Sequence, residues 1–242
     1  MDHTQLIAAC EESKHLINMI EIEHIVTLGH SIGLNENTRV LDLCCGYGTM
    51  LKTWSEAFGV SGVGVDLAKQ HVEEGKARLI NKRVKLICSD ALTYRCDETY
   101  DVVVCTELST GLFDNFPEGI AFLERFVKPG GTLVFGRLFS KIPAPPQELI
   151  DFDGPMPTLR ELYDEARQCG WLITAMASST DAAWERYIMR DGKNTVAKIR
   201  KNPNDAEWVA WTDKWYRIYF DCRRPYEGWG LFAVERVKET IQ

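Results

Sequence analysis

Five short runs between residues 38 and 138 are apolar at nearly every position, and helix-like stretches alternate with them. The runs are Arg39 to Leu43, GVGVD ending at Asp66, VKLICSD ending at Asp90, Tyr100 to Cys105, and TLVFGRL after the Pro-Gly-Gly at 129 to 131. A strand with one wet face alternates polar and apolar residues; a strand that does not alternate must be covered on both sides. With helical segments such as Met50 to Phe58 and AKQHVEEGKARLI between them, these runs predict an α/β chain, a doubly wound and mostly parallel sheet.

The flanking regions divide the chain further. Residues 4 to 32 mix apolar positions (Leu16, Met19, Ile20, Val26, Leu28) with charges and read as amphipathic helix, ended by Gly33 and Asn35. A proline-rich connection, SKIPAPPQELIDFDGPMP at 140 to 157, cannot be regular helix or central strand throughout and is long enough to line a pocket mouth. A helix is expected from Thr158 to Cys169, a strand from Trp171 to Ala177, helical structure over about 181 to 222, and a last strand in GWGLFAVERV. The expected organisation is a helical lid (1–33), an α/β core (34–180), a helical cap insertion (181–227), and a final core strand with tail (228–242).

Charge and composition exclude several classes. With 28 Lys and Arg against 35 Asp and Glu, the net charge is −7, and a nucleic-acid partner is not expected, since neutralising a phosphate backbone calls for a basic face. No run approaches the roughly 20 apolar residues of a membrane span, and the first residues lack a signal-peptide pattern, so a cytoplasmic protein with no membrane partner is expected. The eight cysteines are too few for a disulfide scaffold and are expected to be reduced and mostly buried. Cys44 and Cys45 have no second close Cys/His pair to complete a ligand set, so no metal is expected.

Asp42, Asp66 and Asp90 lie 24 residues apart, each at the end of a β-rich run. In an open α/β sheet all three reach one carboxyl edge, where ligands bind. On residue type alone they are turn and cap aspartates. The string VLDLCCGYGTM adds Gly46 and Gly48, which let backbone approach a ligand, ahead of a helix with free N–H groups. A carboxylate ending the second strand can accept both hydroxyls of a ribose.

Together these segments resemble the class I S-adenosylmethionine-dependent methyltransferases, most closely uncharacterised bacterial small-molecule methyltransferases. VLDLCCGYG is similar to their first motif, GVGVDLA to the second, CSDALTY to the third, and YDVVVCTE with FVKPGGTLVFG to the fourth strand and the motif that follows it. The resemblance implies a seven-stranded Rossmann-like sheet and S-adenosyl-L-methionine as cofactor. It places the Gly46/Gly48 turn close against the cofactor, Asp42 at its amino-acid end, Asp66 and Leu67 at the ribose, Asp90 with the Ala91 backbone at the adenine, and Cys105, Thr106 and Glu107 beside the sulfonium. Cys44 stands in the first glycine position of the family's Asp-x-Gly-x-Gly-x-Gly turn. An acidic rim attracts a cationic cofactor.

Methyl transfer needs alignment of a nucleophile behind the methyl and exclusion of water more than a dedicated residue. Glu107 is the candidate acid/base, with helix capping or pocket lining as its plainer role. His15, His24 and His30 read as a solvated helix face.

Five of seven tryptophans follow residue 180, and positions 208, 211, 215, 219 and 222 keep helical spacing, which reads as a stripe docking the insertion onto the sheet. The functional alternative is an acceptor-binding cap, with Trp184, Tyr187 and Arg224 as its candidate substrate contacts. Residues 181–228 carry ten basic and eight acidic side chains, +2, leaving −9 elsewhere; an anionic acceptor would suit Arg186, Arg223 or Arg224. The leading function is methyl transfer to a small-molecule acceptor. The alternatives are a catalytically silent cofactor-binding or regulatory module and an RNA or protein methyltransferase; a nicotinamide enzyme is disfavoured because its G-x-G-x-x-G turn is absent. Oligomeric state is not legible.

Overall fold

The computed structural model describes residues 18–79, 82–106, 112, 113, 115–189 and 192–237. Its elements are α1 (Ile22–Ser31), β1 (Arg39–Leu43), α2 (Thr49–Phe58), β2 (Ser61–Asp66), α3 (Lys69–Arg78), β3 (Val84–Cys88), β4 (Tyr100–Cys105), α4 (Phe116–Glu124), β5 (Val127–Ser140), α5 (Gln147–Asp153), α6 (Leu159–Gln168), β6 (Trp171–Ser178), α7 (Asp181–Met189), α8 (Gly192–Lys201), α9 (Ala206–Ile218), a π-helical turn (Tyr219–Arg223), α10 (Arg224–Tyr226) and β7 (Glu227–Arg236). The seven strands form one sheet in the order 3-2-1-4-5-7-6. Pairing is parallel except for β7, which runs antiparallel to both β5 and β6.

The uninterrupted apolar runs are explained by two separate cores. Val40, Val102, Val104, Val134, Leu231 and Ala233 point to one face of the sheet, where they pack with Ile25, Leu51 and Trp54 from α1 and α2. Their immediate neighbours Leu41, Val103, Leu133, Phe232 and Val234 point to the other, against Ile120 and Leu123 of α4 and Leu162 and Ala166 of α6. Successive strand residues face opposite sides, so every position in these strands meets a core.

Local signals decide the element ends. Thr158 and Glu161 cap each other's ends of α6 in a reciprocal capping box, and this satisfies two orphan donors of its first turn. Inside the proline-rich connection, α5 occupies seven residues after Pro146. Residues 89–99, between β3 and β4, contain no helix. The last strand begins at Glu227, one residue before the expected boundary.

Order and direction of the strands decide where the insertion must lie. β6 runs parallel to β1 and ends at the carboxyl edge, while β7 runs back and so starts there. Residues 179 to 226 therefore leave and return at that edge. Among the described residues no helix is long and apolar enough to cross a membrane. No two described cysteines are disulfide-bonded; Cys105 and Cys222 are buried, whereas Cys44, Cys45, Cys96 and Cys169 are half-buried and Cys88 is exposed, so fewer thiols are buried than expected.

Trp54 ties α1 to the sheet: it is fully buried and its Nε1 donates to the Ile25 carbonyl at 2.8 Å. Trp54→Ala should cost about 3–5 kcal/mol of unfolding free energy, read as a lowered urea midpoint.

Candidate active site

A cavity of about 630 Å³ opens at the carboxyl edge of the sheet. It lies where β1 and β4 sit side by side, the point at which strand order reverses and a crevice is left between diverging connections. One half of its wall comes from the strand ends and their turns: Asp42, Cys44, Gly46, Asp66, Leu67 and Thr106, together with His71. The other half comes from the cap and the last strand.

Asp42 is the second-last residue of β1, paired with Gly64 on one side and Val104 on the other. It is 2% exposed, and its Oδ1 has no hydrogen-bond partner among the described residues. Burial, with the nearby Asp66 carboxylate as a lesser cause, pushes its carboxyl up from 3.8 to about 8. Desolvation disfavours the charged form, and a like charge adds to it. A cation in the cavity would reverse both effects.

Asp66, at the end of β2, is held differently. Its Oδ2 accepts the Gly46 N–H at 2.7 Å and its Oδ1 the Ala68 N–H at 2.8 Å. One carboxylate thus links the glycine turn after β1 to the start of α3. Gly46 and Gly48 have φ of 55° and 70°, and Cys44, at φ 61°, is alone among the described non-glycine residues in this left-handed region. The position of the missing glycine does adopt glycine's conformation, and cysteine takes it at a strain of about 1–2 kcal/mol.

The structure brings together Asp42, Cys44, Gly46, Asp66, Leu67, Thr106, Trp184 and Tyr187 on one cavity wall. It does not bring the others there. Gly48 caps α2, facing Leu86. Asp90 lies two residues beyond β3, its Oδ1 occupied by the Leu92 N–H at 2.8 Å. The Ala91 and Cys105 side chains are buried in the core on the far face of the sheet. Arg224 is exposed on the outside of the cap, paired with Asp181 at 3.2 Å and Glu185 at 3.4 Å. Glu107 and His15 lie outside the described residues. His24 sits 3.1 Å from Glu21, and His30 packs edge-on against Phe58, so neither lines the cavity.

Residues not proposed as site contacts also line the wall, among them Asn18, Leu138, Asp153, Trp215, Glu227 and Trp229. Arg223, not Arg224, is the inward arginine. It is 7% exposed, donates to both oxygens of Asp153 (Nε to Oδ2, 2.8 Å), and lies 3.4 Å from Glu227 through Nε. Its guanidinium sits between the rings of Trp215 at 4.5 Å and Phe152 at 5.0 Å. A π-helical turn covers Tyr219–Arg223 and ends on this arginine. Of the aromatic stripe, Trp208, Trp211 and Trp215 stack on one another at 5.6 and 5.2 Å, and only Trp215 of these three reaches the cavity.

Residues 40–131 match the family described as methyltransferase domain. A SAM-dependent methyltransferase from Geobacter sulfurreducens, crystallised with S-adenosyl-L-homocysteine, has the same fold at a TM-score of 0.88 and 26% identity, over 96% of this chain and 98% of that one. The methyltransferase domain and neighbours of this kind support S-adenosylmethionine-dependent methyltransferase activity. This methyltransferase is similarly close to one from Thiobacillus denitrificans, also with S-adenosyl-L-homocysteine: TM-score 0.88, 27% identity, 98% and 100% coverage. It is 26% identical over 249 residues, 97% of its length, to the uncharacterised protein YjhP of Escherichia coli, of which it spans 99%.

Two outcomes follow for the empty protein. Asp42 stays protonated when folded between its unfolded value and about 8, so the native state binds the extra proton and stability falls as pH rises through that window, by at most about 1.4 kcal/mol per pH unit. Urea unfolding across the window should show a shallower decline in Asp42→Asn. At the strained position, Cys44→Gly should stay within about 1 kcal/mol of the parent, whereas the β-branched Cys44→Val should lose about 1–3 kcal/mol, measured the same way.

Proposed function

We propose that this methyltransferase transfers the methyl group of S-adenosyl-L-methionine to a small-molecule acceptor held between the sheet edge and the cap. The reading is carried by one observation: the buried Asp42 carboxylate, with an orphaned oxygen, faces a cavity rimmed by a second carboxylate and a glycine turn. These residues fit a cationic nucleoside. Asp42 would take the α-ammonium end of the cofactor, the Gly46/Gly48 turn its backbone-close portion, and Asp66 with Leu67 the ribose. Asp90 beyond β3, with the Ala91 backbone, would flank the adenine, and Thr106 the sulfur. When bound, the cofactor supplies an activated methyl group.

The chain's own part is alignment. Trp184, Tyr187, Trp215 and Trp229 border the same cavity as Thr106, so an acceptor lying against these rings shares a water-poor space with the reacting carbon. Positioning of that kind can supply roughly 7–11 kcal/mol of the barrier. An acceptor small enough to be enclosed is favoured over RNA by the net charge of −7. The fold and composition support a cytoplasmic setting without a membrane partner.

Asp66→Ala should weaken S-adenosyl-L-homocysteine binding by about 1–3 kcal/mol, measured by calorimetry. Unchanged affinity would place the ribose elsewhere.

A further inference from the structure

The acceptor end of the cavity holds a second buried acid that the cofactor reading does not use. Glu227, the first residue of β7, pairs with Ser140 at the end of β5 and is completely buried. Neither of its carboxylate oxygens has a hydrogen-bond partner among the described residues. Arg223 Nε lies 3.4 Å from its Oε2, an ion pair without a hydrogen bond, so both oxygens are left to take donors from a ligand.

Charge and chemistry around it narrow the ligand. Three charged groups bear on Glu227: Arg223, Asp153 and Lys141. Arg223 is committed to Asp153 and clamped between two rings, and Lys141 is exposed with its ammonium on the Arg224 carbonyl at 2.8 Å. An anionic acceptor would therefore meet two acids and no uncommitted buried cation. An anion also supplies no donor, and a hydroxyl only one, whereas an ammonium supplies up to three. The rings of Trp184, Tyr187 and Trp229 line the same cavity, and aromatic faces attract a cation.

We propose that the methyl acceptor is a small amine, seated as its ammonium against Glu227 beside these three rings and deprotonated there by the Glu227 carboxylate. This rests on the function proposed above and names its substrate class. The ammonium gives one proton to Glu227; the freed lone pair forms the N–C bond while the C–S bond breaks, its electron pair leaving with sulfur. The product is the N-methylated ammonium, and the proton on Glu227 passes to solvent. Burial holds the empty Glu227 carboxyl up at about 8, with Arg223 pulling it down and Asp153 pushing it further up; an arriving ammonium adds a second downward pull and favours the basic form.

The test is binding of three isosteric probes, cyclohexylmethylamine, cyclohexylmethanol and cyclohexanecarboxylate, to the protein saturated with S-adenosyl-L-homocysteine, followed by calorimetry. The amine should bind best, and its affinity should rise with pH through about 8 while that of the alcohol stays level. Glu227→Gln should weaken the amine by roughly tenfold or more and leave S-adenosyl-L-homocysteine affinity unchanged. Tighter binding of the carboxylate, or an amine affinity indifferent to both pH and Glu227→Gln, overturns the proposal. If that variant fails to fold, the pH series on the unaltered chain decides alone. Failure of S-adenosyl-L-homocysteine to bind would sink the cofactor reading instead, and the same three probes on the protein alone would still judge Glu227.

Discussion

The direction of one strand organises this molecule. Were β7 parallel to its neighbours, its first residues would lie at the opposite edge of the sheet, and residues 179 to 226 would have to cross the whole fold. Because it runs antiparallel to β5 and β6, the chain leaves β6 and enters β7 at the carboxyl edge. The cap is thereby laid over the crevice between β1 and β4, and Glu227 and Trp229 arrive beside Leu138 and Ser140 at its wall. Two sets of groups with different sequence origins, the aspartates of the first strands and the aromatic and ionic groups of the last third, meet in one space for this reason.

What each set contributes differs in kind. On the strand side, Asp66 is satisfied by backbone donors and fixes the glycine turn against the start of α3, while Asp42 is left unsatisfied. On the cap side, Arg223 is satisfied and Glu227 is not. Each half therefore pairs a group that positions structure with a group that waits for a ligand. Buried acids without hydrogen bonds are costly, and the cost falls on residues facing the cavity.

The sheet was readable from the amino acids because burial on both faces leaves a plain mark: Tyr100 to Cys105 and Arg39 to Leu43 are apolar at nearly every step and form strands with those bounds. The α6 helix was expected over Thr158 to Cys169 and spans Leu159–Gln168, with the capping box at its start seen only in the structure. Asp42 and Asp66 were readable from their place at strand ends. The cap side was not. Arg186, Arg223 and Arg224 were all open as contacts for an anionic acceptor, and composition gives no means of telling the inward Arg223 from the exposed Arg224. Asp153 carries no local signal, since it becomes meaningful only through a partner 70 residues away. Asp90 has the right spacing but spends its carboxylate on its own turn.

The clamp around Arg223 bears on how such a chain can diverge. One guanidinium holds α5 through Asp153, the cap through Trp215, and the last strand through Glu227. Losing any single member strands a charge in a dry place, so drift at these positions has to proceed in compensated steps, two or three residues together. A descendant that took up a new acceptor would find this corner the hardest part of its pocket to rebuild, and the exposed rim of the cap the easiest.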